Sequence, residues 1–435
     1  MIRQRPQRRA RSLVVAGLFV VCAVAGAGST QTAHAEEARA VEAPSVDVQA
    51  PPADSAAAAP SRVMVMLRLG AEHYRAGGDY GGSYGDAMGE QARLRLARKI
   101  AREHGLSVVE SWPMQLVGVD CVVMEVRDGR PPNVVSAELT SLPGVAWSQP
   151  LNEFNMQGAA AGQGDKSAYN DRLTLAQPWH LAPLHRQATG KGVTIAIIDS
   201  LIDTSHPDLA GQIAASRDFA APGHPAAERH GTGVAGIIGA RPGNGLGIAG
   251  VAPGARILGL RACWERPLGG TTVCDTLSLA KALTFAIENR ANVINLSLTG
   301  PADRLLAGLI DLGVARGITI VAAVDARNPR ASFPAFVSGV VPVAAARLSA
   351  GEPAVYIAPG QDVPTTEPEG KWSVVSGSSF AAAHVSGLAA LLRQLSGSGR
   401  GTSAAALLGP RGLIDACALV GRASRLDVPS CETGR

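Results

Sequence analysis

Uninterrupted apolar runs recur through the second half of the chain and alternate with longer segments of helical periodicity. A strand that is apolar at every position is typical of a parallel sheet buried on both faces, and the intervening helices supply the cover. We therefore predict a three-layer α/β domain over residues 172–435. Its predicted elements are strands at 193–198, 257–260, 293–296 and 318–324, and helices at 233–240, 277–289, 302–315 and 379–395.

A second pattern fills residues 62–156 and predicts a smaller α+β domain. Its predicted elements are a strand at 63–67, a helix at 91–104, two strands within 106–126, a helix at 133–142 and a strand at 144–147. This β-α-β-β-α-β order is that of a ferredoxin-like fold. A polar joint rich in glycine and alanine, residues 157–171, links the two predicted domains.

The N-terminus has the three parts of an export signal. Arginines are concentrated in residues 3–11, an apolar run covers 13–27, and Ala33-His34-Ala35 provides the small-x-small pattern that signal peptidases recognise. The alternative is a membrane anchor, but the apolar run is shorter than the roughly 20 residues of a spanning helix. We predict a signal peptide at 1–35, export to the periplasm or the medium, and an Ala/Pro-rich linker at 36–61.

Composition excludes two classes of protein. Apolar residues make up 46% and charged residues 17% of the chain, values typical of a globular rather than a disordered protein. The net charge is only +4, and no basic stripe with interleaved aromatic residues is present, so nucleic acid is not an expected partner.

The cysteines fit an exported protein, because export permits disulfides. Cys263 and Cys274 lie close in sequence, as do Cys417 and Cys431, and we expect each pair to be bonded. Cys121 lies in an apolar run and is expected to be a buried thiol.

Three short motifs carry candidate chemistry. Asp199 lies at the carboxyl end of a predicted buried strand. In open α/β sheets, ligands bind beyond the carboxyl ends of the strands. His230 begins a helix of small residues, His-Gly-Thr-Gly-Val-Ala-Gly. Ser379 opens a long apolar helix after Ser376-Gly377-Ser378, and the N–H groups of a helix N-terminus favour developing negative charge. An aspartate, a histidine and a serine are the groups of a nucleophilic triad.

The order Asp199, His230, Ser379 resembles that of the subtilase family. Residues 247–253 (Gly-Ile-Ala-Gly-Val-Ala-Pro) and 292–298 (Asn-Val-Ile-Asn-Leu-Ser-Leu) are also similar to that family, so the resemblance covers roughly 175–396. The preceding domain, above all residues 138–154, resembles the family's inhibitory propeptide.

The resemblance implies a self-processing zymogen of a serine endopeptidase. Ser379 would attack the scissile carbonyl, His230 would transfer the proton, and Asp199 would orient His230. The edge formed by Leu298, Thr299 and Gly300 would pair with an extended substrate. The implied partners of a monomeric enzyme are a protein or peptide substrate and its own propeptide, with cleavage in 157–171. No cofactor or metal ligand set is implied, and structural calcium is left open.

Two positions depart from the family pattern. Leu201 replaces a glycine after Asp199-Ser200, where a positive φ would be costly. Asp325-Ala326 replaces a Gly-Asn pair whose amide normally stabilises the oxyanion. Asn328 is the expected substitute donor; a protonated Asp325 and the absence of any donor are the alternatives.

The missing amide keeps a second function open, that of a degenerate subtilase acting as a binding or regulatory protein. An α/β hydrolase acting on esters is disfavoured, because no Gly-x-Ser-x-Gly elbow surrounds Ser379 and the order of the triad differs.

Overall fold

The computed structural model describes residues 61–69, 84–156, 159–160, 179–220, 226–266, 271–397 and 408–425. The predicted signal peptide, the linker up to residue 60, Cys431 and all of the 157–171 joint except 159–160 lie outside these residues. Residues 59–435 form one compact unit.

The N-terminal part has the element order β-α-β-β-α-β. It contains β1 (Arg62–Arg68), α1 (Tyr84–Glu103), β2 (Leu106–Met114), β3 (Val119–Val126), α2 (Pro132–Thr140) and β4 (Val145–Pro150). The strands form an antiparallel sheet in the order β2-β3-β1-β4. The first helix begins seven residues before the predicted start at residue 91.

The larger part is built on a parallel sheet in the order β16-β15-β14-β12-β7-β9-β8. Its strands are β7 (Thr194–Asp199), β8 (Ile213–Asp218), β9 (Arg256–Arg261), β12 (Val293–Leu296), β14 (Thr319–Ala323), β15 (Val341–Ala344) and β16 (Tyr356–Ile357). The helices of this part are α3 (Leu181–His185), α4 (Arg229–Gly239), α5 (Thr276–Glu288), α6 (Arg304–Ala315), α7 (Ser378–Leu395) and α8 (Ala416–Ser424).

Two apolar cores lie on opposite faces of this sheet. Along β7, Ile195 and Ile197 pack into one core with residues of α4 and α7. Their neighbours Ala196 and Ile198 pack into the other core with residues of α5 and α6. Successive side chains of a strand point to opposite faces, so a strand that is apolar throughout serves both cores. The predicted three-layer α/β architecture is therefore confirmed.

Two smaller sheets connect the N-terminal part to the larger one. The first has the order β10-β11-β5-β13, with β5 (Glu153–Met156), β10 (Cys263–Glu265), β11 (Thr272–Asp275) and β13 (Leu298–Thr299). The second has the order β17-β18-β6, with β6 (Ala159–Ala160), β17 (Val363–Glu367) and β18 (Lys371–Ser376). The chain after β4 therefore pairs twice with strands of the larger part.

Candidate active site

Asp199 is the last residue of β7, which lies between β12 and β9 in the middle of the large sheet. Its carboxylate has no solvent exposure. The oxygen Oδ1 accepts a hydrogen bond from the N–H of Ser200 at 2.7 Å and lies 2.8 Å from Nδ1 of His230. A carboxylate on Nδ1 fixes the tautomer that leaves Nε2 free to accept a proton.

His230 is the second residue of α4, and its neighbour must be glycine. A Cβ on Gly231 would overlap the carbonyl oxygen of Ser200, and the N–H of Gly231 donates to the Ser200 hydroxyl at 2.9 Å. The start of α4 therefore lies directly against the residue that follows Asp199, which brings the side chains of Asp199 and His230 together.

Leu201 fits the site without a positive φ. The described non-glycine residues with positive φ are Arg290, Asp362, Glu369 and Arg425. The N–H of Leu201 instead donates to Oε2 of Glu228 at 2.7 Å, and the N–H of Glu228 donates to the Leu201 carbonyl at 2.8 Å. This reciprocal pair joins the loop after Asp199 to the residue that precedes α4, so the first departure from the family pattern is accommodated.

Ser379 is the second residue of α7 and is buried. Gly377, with a φ of 150°, turns the chain from β18 into this helix. The Ser379 hydroxyl donates to the carbonyl of Ser297 at 2.8 Å, and the Ser297 hydroxyl donates to the carbonyl of Ser379 at 3.1 Å. Ser297 directly follows β12, so the strand beside β7 positions the serine.

The ring of His230 lies against α7. Its centroid is 5.5 Å from that of Phe380, the residue after Ser379, and its Nε2 atom is buried with no hydrogen-bond partner. His384, in the same helix, packs edge-on against Trp179, and burial lowers its pKa to about 4. His384 is therefore a neutral, packed residue of the core.

The predicted substrate edge pairs with a strand of this same chain. Leu298 lies opposite Met156, and Thr299 lies opposite Asn155, in antiparallel register. Gly300 forms a bridge with Phe333, and a Cβ there would overlap the ring of Phe154. The strand β5 thus occupies the edge where an extended peptide is expected.

Asn328 lies in the loop after β14, at the same carboxyl edge of the sheet, with its side chain exposed. Its N–H donates to the Asp325 carbonyl, and it precedes a short 3₁₀ helix without capping it through its side chain. Oδ1 of Asp325 accepts from the N–H of Arg327 at 2.9 Å. Within the described residues, neither side chain makes a hydrogen bond to the three triad candidates.

The cysteine predictions are supported in part. Cys263 and Cys274 form a disulfide across the β10–β11 hairpin. Cys417 is also disulfide-bonded, and its predicted partner Cys431 lies outside the described residues. Cys121 is a buried free thiol whose pKa is raised by burial, as predicted.

The chain matches the model of the subtilase family over residues 190–409. It is 32% identical to the thermophilic serine proteinase of Bacillus sp. (strain AK1), over 64% of this chain and 67% of that protein. It is also 32% identical to thermitase of Thermoactinomyces vulgaris, over 51% of this chain and 80% of that protein. This chain belongs to the subtilase family.

The fold agrees with this assignment. Fervidolysin from Fervidobacterium pennivorans, a keratinolytic enzyme related to subtilisin, superposes with a TM-score of 0.59, covering 85% of this chain and 62% of that one. At 20% identity, that likeness concerns the fold. The family relationship makes the chain a subtilisin-like serine protease, whose substrates are peptides.

Two residues that contact the triad candidates in this subtilase were not predicted from the sequence. Ser297 lies 82 residues from Ser379, and Glu265 lies 35 residues from His230, whose N–H it accepts at 3.2 Å. Ser297 lies within the family-like segment 292–298 and one residue before the predicted substrate edge, so its position was a signal, but no role was assigned to it. No pattern in the sequence singles out Glu265.

Replacing Gly231 by alanine should abolish most of the activity. The added methyl group would displace the start of α4 from Ser200, and a misplacement of about 1 Å in a catalytic group lowers turnover by about 10²-fold. The measurement is kcat on a peptide substrate.

Gly308→Ala provides the matched control. Gly308 is exposed in the middle of α6, and a Cβ there meets nothing within 4 Å. This variant should keep wild-type kcat and raise the free energy of unfolding by about 0.5–1 kcal/mol, because alanine favours a helix. A Gly231→Ala variant with wild-type kcat would show that the close contact with Ser200 does not set the position of His230.

Proposed function

We propose that this subtilase hydrolyses peptide bonds through Ser379, His230 and Asp199. The observation that carries the proposal is the buried contact of 2.8 Å between Asp199 and Nδ1 of His230, with Nε2 left unpartnered beside the helix of Ser379. A buried imidazole held in this way is a general base for a nearby hydroxyl.

The first step requires a change of partner by the serine. The Ser379 hydroxyl leaves the carbonyl of Ser297 and donates to Nε2 of His230, which takes its proton as the oxygen attacks the scissile carbonyl. Asp199 stabilises the resulting imidazolium. His230 then passes the proton to the leaving amine, and water hydrolyses the acyl-enzyme by the same route in reverse.

We propose that residues 62–156 are the inhibitory propeptide of a zymogen. The strand β5 fills the cleft between β11 and β13, where it pairs antiparallel with both. A peptide substrate would add to these same strands, because an extended chain satisfies the free N–H and C=O groups of a sheet edge. The propeptide therefore blocks substrate entry.

Further contacts hold this domain at the N-termini of two helices. Oε1 of Gln149 accepts from the N–H of Leu305 in α6, and the carbonyl of Asn152 accepts from the N–H of Thr276 in α5. The amide of Asn152 also donates to Asp303 at 2.9 Å. The first N–H groups of a helix lack intrahelical partners, so these contacts satisfy groups that would otherwise need water.

Charged side chains of the larger domain cover aromatic residues of the propeptide. The Arg304 guanidinium lies 4.7 Å from the centre of the Trp147 ring. The Lys281 ammonium forms an ion pair with Glu110 and lies 5.9 Å from the Trp112 ring. These contacts favour a propeptide that stays bound after the chain is cut.

We propose that the enzyme is exported, to the periplasm or the medium, and acts as a monomer. The N-terminal signal pattern and the Cys263–Cys274 disulfide support export, since such bonds persist in oxidising compartments. The family itself includes proteins named as a minor extracellular and a major intracellular protease, both of Bacillus subtilis. No helix among the described residues has the length and apolar character of a membrane span. Nor do these residues contain a cluster of three or more metal-binding side chains.

The degenerate-subtilase hypothesis remains the second candidate, and a specific observation favours it. Ala326 stands where the family has an asparagine, and the exposed side chain of Asn328 makes no described hydrogen bond to the triad candidates. Under that hypothesis the cleft would bind peptides without cutting them.

A fluorophosphonate probe distinguishes the two candidates. The processed wild-type protein should be labelled at Ser379, because such probes react with a serine that a neighbouring base activates. His230→Ala should slow labelling strongly. Ser378→Ala is the control, since it removes the adjacent hydroxyl and should label like wild type. An unlabelled wild type would favour the binding protein.

Cleavage of the precursor should fall between Met156 and Ala159. β5 ends at Met156, opposite Leu298, and β6 begins at Ala159, opposite Ser376. Both partners lie close to Ser379 in the fold or the chain: Ser297, next to Leu298, is hydrogen-bonded to Ser379, and Ser376 is three residues before Ser379. We therefore propose that one of the peptide bonds between the end of β5 and the start of β6 is cleaved. N-terminal sequencing of the first mature product, sampled early in processing, should give a sequence that begins at residue 157, 158 or 159.

Ser379→Ala should stay full length, whereas Ser378→Ala should shorten like wild type. Equal processing of wild type and Ser379→Ala would mean that another protease makes the cut. A first cut beyond residue 160 would contradict the proposed position.

The oxyanion donor is tested by three substitutions. We propose Asn328, a neutral amide two residues from Ala326, together with the backbone N–H of Ser379. Asn328→Ala should then lower kcat by about 10²-fold with little change in KM. The reason is that such a donor acts in the transition state, and its loss from a subtilisin costs about 10²–10³ in turnover.

Asp325→Ala should have a much smaller effect on kcat. If Asp325→Ala instead abolishes turnover and Asn328→Ala does not, a protonated Asp325 is the donor. If neither matters and Ala326→Asn raises kcat strongly, the second donor is absent and the degenerate-subtilase hypothesis gains support.

A further inference from the structure

Glu265 makes a contact with the helix of His230 that the catalytic mechanism does not use. Its Oε1 atom accepts the N–H of Arg229 at 2.7 Å and the N–H of His230 at 3.2 Å. These are the first two residues of α4, whose N–H groups have no carbonyl partner within the helix. The residue at the capping position, Glu228, makes no capping bond with its side chain. A carboxylate from a distant strand therefore caps this helix.

The backbone of Glu265 is held in place from two sides. Its backbone N–H donates to Oε1 of Glu228 at 2.9 Å. Glu228 in turn pairs with the buried Arg261 at 3.2 Å, at the end of β9. Two residues before Glu265, the Cys263–Cys274 disulfide closes the β10–β11 hairpin. A cap on such a support fixes the helix start more firmly than a flexible surface side chain would.

The same network reaches the loop after Asp199. Oε2 of Glu228 accepts the N–H of Leu201, while Oε1 accepts the N–H of Glu265. The backbone that carries Asp199 and the carboxylate that caps the His230 helix thus share one buried partner. The network therefore sets where His230 stands relative to Asp199.

We propose that Glu265 is a positioning residue for His230, acting as the hydrogen-bond acceptor of its N–H and that of Arg229. The inference rests on the proposed role of His230 as general base. The other strand of the hairpin, β11, pairs with β5 in the cleft, and a change in the Glu265 side chain leaves its backbone pairing in place. Loss of the cap should therefore lower kcat and leave KM nearly unchanged.

The experiment measures kcat and KM of the mature form of each variant. A trace of affinity-tagged wild-type enzyme cleaves each precursor and is then removed through its tag. Glu265→Ala should lower kcat by about 10- to 100-fold, the range expected when a catalytic group loses its orientation, with KM within twofold. Glu265→Gln keeps an acceptor oxygen and should restore kcat to within about threefold of wild type. Glu265→Asp is too short to reach both N–H groups and should lie between the two; it tests the inference if the alanine variant does not fold.

Asp415→Ala is the matched control. Asp415 caps α8 by accepting the N–H of Ala418 at 2.8 Å, and α8 carries no triad candidate. This variant should lower Tm without changing kcat. If Glu265→Ala likewise lowers Tm without changing kcat, Glu265 is a structural cap and the inference is wrong. Glu265→Asp is judged by the same criterion if the alanine variant does not fold. If Glu265→Gln is as impaired as Glu265→Ala, its charge rather than its acceptor role matters, which also overturns it. A wild type that neither cleaves peptide nor labels at Ser379 would instead reject the proposed function on which the inference stands.

Discussion

The architecture of the site depends on the burial of one carboxylate, that of Asp199. A buried charge is tolerated only where hydrogen bonds and a partner replace its hydration. Asp199 obtains these from the N–H of Ser200 and from His230. Both lie where they do because the loop after β7 and the start of α4 are in direct contact. That contact in turn requires glycine at position 231.

The neighbouring elements hold that contact from several directions. Thr365 and Thr366, on β17, donate hydroxyl hydrogen bonds to the carbonyls of Gly233 and Thr232 in α4. Glu228 ties the loop after Asp199 to the β10–β11 hairpin. Strand β11 of this hairpin pairs with β5, so the elements around the proposed peptide cleft and those that hold the candidate base His230 form one connected framework. Precise positioning of this kind is what the proposed triad would need to act on a bound peptide.

The central strands could be predicted from the sequence because each is a local pattern, and the three triad candidates come from local motifs as well. The apolar runs at 193–198 and 293–296 correspond to β7 and β12, with bounds that agree within one residue. The strand β8 (Ile213–Asp218) was missed, since it lies at the edge of the sheet, is mostly exposed and is polar in its second half, so it forms no continuous apolar run. The β10–β11 hairpin was missed for a related reason: its strands of three and four residues carry too little periodicity to be recognised.

Long-range contacts explain the remaining gaps. The cap from Glu265 and the carbonyl of Ser297 act on residues far away in sequence, and neither residue type is unusual in its local context. Leu201 was expected to be unfavourable in place of the family's glycine, because the sequence suggested only that its φ would have to be positive. The partner that accommodates it, Glu228, is 27 residues away and becomes visible only when the chain is folded.

Two unpartnered atoms of the buried pair agree with the acid–base role proposed for it. Oδ2 of Asp199 and Nε2 of His230 are both buried without a hydrogen-bond partner. Leaving a buried polar group without a partner costs about 1–3 kcal/mol, and at this contact the proposed acid–base role gives a reason for that cost. An acid–base group, by contrast, must keep one nitrogen open for the proton it will receive. The His230 ring lies against Phe380, the residue after Ser379, so in the proposed mechanism proton transfer from the serine would begin at that open nitrogen.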